Sequence, residues 1–484
     1  MQKSVSKGFM WKFFERFGVT GIQFVLQIIL ARLLSPSHYG VLTIMVIFTT
    51  LANVFIQNGF NTALIQNKDV KEQDYSSVFW ISLGIAGILY GVIYASAPWI
   101  GLFYEMPELV TPLRVLALIL FPGALNSIQV AKVSRELDFK KVFWSSVVSV
   151  TVAGTAGIAL AFLGGGLWAL VTQSLLNVFV SCAVMAFTVK LRIRFVCNIK
   201  RVRILFSYGW KLLVSSLLDV LYQDLNNLII GKKYTADDLA FYNRGQQFPQ
   251  LIINSVNGAV QSVMLPAMSA DQDDKKKVKE MTRSSITVSS YVIFPIMAGL
   301  AAVAPAMVTC ILTEKWLPCV PYLQVCCFTF AFYPIHSSNL QAINAVGRSD
   351  IFLKLELVKK AIALALLVGF LVCFDSPFAI AVSGAVGVPL GLFVNAFPNK
   401  KLIGYSYFEQ MKDILPSFLL SAIMCVAVWT LNLLNIHPLI VLLLQVTVGI
   451  ALYVTLSALF RLSPFLMLKE SLKRMIFKRL RRSL

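Results

Sequence analysis

Apolar runs near or above the length of a membrane span recur along this chain from about residue 8 to residue 460. A helix needs about 20 residues to cross a bilayer. Hydrocarbon offers no water to an open strand edge, so only helices or a closed barrel satisfy the backbone there. A barrel would show alternating segments of about 10 residues, and the sequence has none. Fourteen spans can be marked, roughly 8–34, 38–66, 75–101, 108–131, 141–163, 167–190, 204–231, 236–266, 282–312, 317–346, 351–374, 377–398, 412–434 and 438–460. The expected fold is therefore an all-α polytopic membrane protein with about 14 transmembrane helices. Only 14% of the 484 residues are charged, against about 25% in soluble chains.

The net charge of +20 would point to nucleic acid in a soluble protein. Here the basic residues fall in alternate loops: Lys68 and Lys71, then Lys132, Arg135, Lys140 and Lys141, then Lys190 to Arg203, Lys275 to Lys279, Arg348, and Lys400 and Lys401. The intervening loops, "YEMPE", "LGGGL", "FDSP" and "NIHP", are nearly bare of Lys and Arg. The positive-inside rule places the rich set and both termini in the cytoplasm, and no nucleic-acid partner is expected. The first run holds Glu15 and Arg16 and lacks a small-residue cleavage site, so it reads as a span rather than a signal peptide. The tail, 463–484, sets Leu468, Leu472, Met475 and Ile476 on one helical face, with Lys469, Lys473, Arg474, Lys478 and Arg479 largely elsewhere. It reads as a basic amphipathic helix on anionic lipid, or simply as a topology anchor.

An internal repeat organises the rest. "LIIGKKYTADDLAFYNRG" at 228–245 overlays "IILARLLSPSHYGVLTIM" at 28–45, with Arg32 on Lys232, Ser35 on Thr235, Gln23 on Gln223 and Gln27 on Asn227. "ASAPWIGLFYE" resembles "AVAPAMVTCILTE" at a similar offset. Spans 1–6 and 7–12 thus look like parallel copies related by an axis along the membrane normal. The expected organisation is an N-lobe (1–200), a C-lobe (201–400), two extra spans (401–462) and the tail.

Polar residues fall into stripes at helical spacing. Arg16, Thr20, Gln23 and Gln27 share a face of span 1. Thr43, Thr50, Gln57 and Asn61 mark span 2. Lys211, Ser215, Asp219, Gln223 and Asn227 mark span 7. Asn243, Gln247, Gln250, Asn254, Asn257 and Gln261 mark span 8. Polar groups in hydrocarbon need a partner or water. Four stripes on repeat-related helices point to one wet cavity; the alternative is interhelical hydrogen-bond glue. Arg16, Lys211, Arg244 and Arg114 are candidate partners for a phosphate-bearing cargo, since guanidinium and ammonium groups bind phosphate through charge-assisted hydrogen bonds. Lys211 snorkelling to the interface and Arg244 at the outer rim are the plainer alternatives. Asp219 shares the span 7 stripe and Asp224 is set off from it, and these are the candidate ion-coupling groups. A carboxylate at the bilayer centre costs about 2.5–3.5 kcal/mol on insertion scales, so neither is expected without a use.

The chain has no GxxxxGK[ST] loop, no nucleophile–histidine–acid set and no metal-spaced cluster. Its eight cysteines include no CxxC, and His38, His336 and His437 are far apart and read as structural. No cofactor, metal or catalytic residue is expected.

"ILARLLSPSHYG", "GFNTALIQNKD", "SRELDFKKV", "NNLIIGKKYTADDLAFYNRG", "EKWLPCVPYLQ" and "LQAINAVGRSDIFLKLELVKK" resemble the polysaccharide-transporter branch of the multidrug/oligosaccharidyl-lipid/polysaccharide flippase superfamily, in its colanic-acid and teichuronic-acid exporter subgroup. The resemblance covers most of residues 8–400. It implies a two-lobed transporter, expected to work as a monomer in a bacterial cytoplasmic membrane. Its cargo would be undecaprenyl-pyrophosphate-linked oligosaccharide for surface polysaccharide, moved by alternating access coupled to a proton or sodium gradient. By the same analogy cavity cations grip the pyrophosphate and amides bond the sugars. An acidic residue often precedes the family's "GF.(S/T)ALIQ" motif; here Gln57 and Asn58 stand there, which shifts ion coupling to Asp219 or Asp224. The competing functions are a multidrug extruder of the same superfamily and a membrane polysaccharide polymerase or ligase. The second would need convergent residues on a large outer loop, and the outer loops are short and bare.

Overall fold

A computed structural model describes residues 11, 18–57, 64–65, 71–189, 191, 193–195, 199–434, 436–467 and 469–470. At 199–209, 211, 259 and 262–263 the description covers the backbone alone. Every regular element among the described residues is helical. The helices are α1 (Thr20–Leu33), α2 (Pro36–Gln57), α3 (Glu72–Phe103), α4 (Pro107–Glu136, stepped through two short 3-10 segments), α5 (Phe139–Phe162) and α6 (Leu167–Thr188). Then come α7 (Ile199–Gln223 continued by Leu225–Lys233), α8 (Ala236–Ala270), α9 (Lys275–Ile311), α10 (Glu314–Ala345, stepped at Phe332), α11 (Ser349–Cys373), α12 (Pro377–Leu402), α13 (Tyr407–Leu433) and α14 (Pro438–Leu459).

Ten of these are long and apolar enough to cross a membrane. The chain is an all-helical, multi-pass membrane protein. The other four are α1, α7, α8 and α11. Among the described residues, α1 and the apolar part of α7 (Leu212–Gln223) are too short, α8 carries amides and acids, and α11 carries Lys354, Glu356, Lys359 and Lys360. Only part of the first expected span lies in the described residues.

Local chemistry sets the helix ends. Proline occupies the first turn of α2, α4, α12 and α14, where its missing N–H costs nothing. Asp274 caps α9 by accepting from the backbone N–H groups of Lys276 and Lys277. Ser406 and Glu409 form a reciprocal capping box at α13. His437 accepts from the N–H of Leu439 and so caps α14, which gives that histidine its structural use.

Helix boundaries repeat as the sequence does. α1 and the second part of α7 end at Leu33 and Lys233, and α2 and α8 begin at Pro36 and Ala236, each pair 200 residues apart. α3 and α9 begin 203 apart, α4 and α10 207 apart, and α5 and α11, like α6 and α12, 210 apart. The drift is the small length difference between copies.

Contacts cluster in two units, Met1–Ala240 and Phe241–Leu484. In the first, α5 packs along α6, α1 lies on α5, and α4 packs against α2, α3 and α6. Leu30, Leu34, Ala169 and Leu170 form one buried cluster and Leu64, Val78, Ile128 and Ala131 another. The first unit includes α7, which opens the second sequence copy yet packs on α2 and α3. In the second unit α9 runs against α10, α13 and α14, and α11 against α12. Asn339 of α10, Asn399 of α12 and Gln410 of α13 are fully buried and bonded together there. Asn339 donates to Gln410 at 2.8 Å and accepts from Gln410 at 2.9 Å and from Asn399 at 2.7 Å. His336 joins the same helices by its 2.9 Å hydrogen bond with Asn395.

Candidate functional site

The polar stripe on α7 is exposed. Ser215, Asp219 and Gln223, four residues apart, all face outward from the packed protein. An exposed carboxylate and amide on a helix of a membrane protein need water or a polar ligand beside them. The helix breaks just beyond them. Asp224 leaves helical geometry (φ −92°, ψ 2°) between Gln223 and Leu225, while the hydrogen bonds Asp224 N→Val220 O and Leu228 N→Asp224 O, both 2.9 Å, carry the helical bonding pattern across it. The Asp224 carboxylate accepts from the Asn227 side chain at 2.9 Å. Asp224 is thus partly occupied locally, and Asp219 lies on the exposed face. Discontinuous helices with polar breaks are a recurrent way to expose binding groups at membrane depth. The sequence did not reveal this break, since neither proline nor glycine stands there; the density of polar residues from Gln223 to Asn227 was its one signal.

On α1, Gln23 is exposed and Gln27 half-buried; on α2, Gln57 is exposed. The α8 stripe divides. Asn243 and Gln247 are half-buried, and Gln247 accepts a hydrogen bond from Arg244. Farther along, Gln250, Asn254 and Gln261 are exposed, and half-buried Asn257 keeps its side-chain oxygen without a hydrogen bond. Arg16 and Asn61 lie outside the described residues, as do most of the tail residues, and of Lys211 only the backbone is described.

The described cations differ sharply. Arg244 is only 6% exposed, and its guanidinium lies 4.7 Å from the Trp316 ring centroid. The neighbouring Gly245 lets α8 approach α10 closely; a Cβ there would lie 2.8 Å from the backbone nitrogen of Leu323. Arg114 on α4 donates from Nε to the Tyr94 carbonyl at 3.1 Å and stacks 4.3 Å from the Tyr94 ring.

The structure adds one cluster that the expected site residues omit. Lys232, at the end of α7, pairs with Glu105 at 3.1 Å and sits 5.0 Å from the Phe103 ring. Glu105 adopts a left-handed turn (φ 58°) between α3 and α4. Close by in sequence, Ala236 at the start of α8 touches Gly40 of α2, where a Cβ would fall 1.9 Å from the Ala236 carbonyl oxygen.

A family model described as "Polysaccharide biosynthesis protein" matches residues 29–321, more than half of the chain. The chain belongs to this polysaccharide biosynthesis protein family. It is 25% identical to the teichuronic acid biosynthesis protein TuaB of Bacillus subtilis (strain 168), over 72% of this chain and 73% of that one. It is 23% identical to the lipopolysaccharide biosynthesis protein WzxC of Escherichia coli (strain K12), over 86% and 82%. The succinoglycan biosynthesis transport protein ExoT of Rhizobium meliloti (strain 1021) is 22% identical over 74% and 72%. Among solved structures the fold is similar to the lipid II flippase MurJ in an inward closed conformation, with TM-score 0.73 and 16% identity over 94% of this chain and 98% of that one. An inward-facing multidrug resistance MATE family transporter of the MOP superfamily follows at TM-score 0.60 and 16% identity, over 78% and 95%. The fold expected from the sequence resemblance is therefore the fold observed.

Proposed function

We propose that this protein is a flippase that carries a polyprenyl-diphosphate-linked oligosaccharide across a bacterial cytoplasmic membrane for surface polysaccharide assembly. The observation that carries the reading is the exposed Ser215–Asp219–Gln223 stripe beside the break at Asp224. It is the kind of surface a hydrated cargo requires on a membrane-crossing helix. Relatives named for teichuronic acid and lipopolysaccharide biosynthesis and for succinoglycan transport support it, as does the likeness of fold to a lipid II flippase.

In this reading the lobes are 1–200 and 201–400, with α13 and α14 added, both termini in the cytoplasm, and the tail on anionic lipid. The amides Gln23, Gln27, Gln57, Asn61, Gln223, Asn227, Asn243, Gln247, Asn254 and Asn257 line the hydrated path and bond sugar hydroxyls. Arg16, Lys211, Arg114 and Arg244 are the cations offered to the diphosphate. Arg244, held by Gln247 and Trp316, would have to exchange those partners for phosphate. Asp219, on the open face, is the preferred site for a proton or sodium ion, with Asp224 behind it. The monomer is the working unit, and transport involves no covalent chemistry.

The test is leaflet exchange. The purified protein is placed in liposomes with a fluorescent polyprenyl-diphosphate oligosaccharide, and probe accessibility is followed over time. Exchange should exceed that of protein-free liposomes for at least one sugar composition. No excess across several compositions defeats the reading.

A further inference from the structure

An apolar groove opens on the first unit between α3, α4 and α6, lined by Phe79, Leu83, Phe121, Leu125, Phe179 and Ala183. Below it, Gln129 of α4 donates to the carbonyl of Cys182 on α6 at 3.4 Å and ties two of its walls together. Phe121 of the groove wall begins a ladder of rings. Phe121 meets Tyr90 at 5.4 Å, Tyr90 meets Tyr94 at 5.9 Å, and Arg114 stacks on Tyr94. The guanidinium spends its Nε on the Tyr94 carbonyl. Its two Nη groups have no hydrogen-bond partner among the described residues. Stacking of this kind fixes the plane and leaves the Nη edge free for a bidentate anion.

Arg114 is seven residues inside the start of α4, about 10 Å below the helix end. A charge at that depth needs a counter-group or water. From Tyr94 to Phe79 the site runs 15 residues along α3, about 22 Å at 1.5 Å per residue. One leaflet of a roughly 30 Å hydrocarbon core supplies only about 15 Å. A phospholipid chain packed in its own leaflet fills about that depth, whereas a polyisoprenyl chain is long enough to continue across the midplane to the far wall of the groove.

We propose that this groove holds the polyisoprenyl chain of the lipid-linked substrate, with the substrate's phosphate on the Nη edge of Arg114. The inference rests on the substrate class proposed above. The site lies wholly within the first unit.

The experiment uses a photoreactive polyisoprenyl diphosphate without sugar, added to the full-length protein in detergent, with the labelled peptides mapped by mass spectrometry. Labelling should fall on the α3, α4 and α6 peptides that line the groove. Unlabelled polyisoprenyl diphosphate should compete and phosphatidylglycerol should not. Arg114→Gln, and Ala183→Trp at an exposed wall position, should each cut labelling about tenfold, the scale of one lost charge-assisted contact; Ala186→Trp serves if the first tryptophan variant misfolds. Labelling elsewhere, labelling unchanged in these variants, or equal competition by phosphatidylglycerol overturns the proposal. The two readings separate cleanly. Leaflet exchange without groove labelling defeats this site alone, and groove labelling without exchange supports the site and defeats the flippase.

Discussion

Replacing Gly40 by alanine is the sharpest mechanical perturbation the structure offers. The added Cβ would sit 1.9 Å from the carbonyl oxygen of Ala236, 2.6 Å from its carbonyl carbon and 2.9 Å from its Cα. Ordinary contact begins at 3.4 Å, so the backbones must part by 3.4 − 1.9 = 1.5 Å. Both sides of the clash are backbone, and no rotamer relieves it. Overpacking of this kind costs about 1–3 kcal/mol. If the contact breaks during transport, the same energy shifts the balance against this arrangement by about 5–150-fold. A matched control exists in Gly87 of α3, where a Cβ would meet nothing within 4 Å. Gly87→Ala should be neutral or stabilise by up to about 1 kcal/mol through helix propensity. Two assays read the outcome. The melting temperature of the solubilised protein should fall in Gly40→Ala by roughly 2–4 °C per kcal/mol and not in Gly87→Ala. A bismaleimide bridge between cysteines placed at Glu105 and Lys232, whose native side chains meet at 3.1 Å, should form more slowly in Gly40→Ala. Unchanged melting together with unchanged bridging would refute the argument.

Other expectations follow from single interactions. Asn339→Leu removes three side-chain hydrogen bonds to Gln410 and Asn399; at about 0.6–1.7 kcal/mol for a bond in a membrane protein the loss should reach about 2–3 kcal/mol in an unfolding titration. Asp219→Asn should abolish the dependence of leaflet exchange on an imposed proton or sodium gradient while leaving membrane insertion intact; unchanged gradient dependence removes Asp219 from the mechanism. Lys232→Glu should lower stability by less than about 1 kcal/mol, because the pair is solvent-exposed, and the double swap with Glu105→Lys should restore it. Ser406→Ala should cost about 1 kcal/mol of helix capping.

The helices and their repeat could be read from the sequence because apolar runs and turn residues are local signals. Pro36, Pro377 and Pro438 mark starts whatever packs around them. The Gln23–Gln223 and Gln27–Asn227 matches needed only an offset. Three features escaped because their partners are distant or their cause is collective. Arg244 looked available for phosphate, and nothing near it in sequence announced Trp316, 72 residues on, as its platform. Lys232 and Glu105 are 127 residues apart. Asn339, Asn399 and Gln410 stand on three different helices, so the network exists only once those helices are assembled.

The polar load on α7 also bears on how the chain is made. A helix with Asp219 and Asp224 is a poor substrate for membrane insertion, since an aspartate near the centre costs about 2.5–3.5 kcal/mol at that step. α7 packs on α2 and α3, both synthesised earlier, so it can enter beside helices already in place. α11 has a different schedule. It packs mainly on α12, which follows it, and it carries Glu356 and Lys359 as an ion pair 2.6 Å apart. Insertion of α11 as a hairpin with its successor, with the Glu356–Lys359 pair already formed, is the order of biogenesis the packing favours.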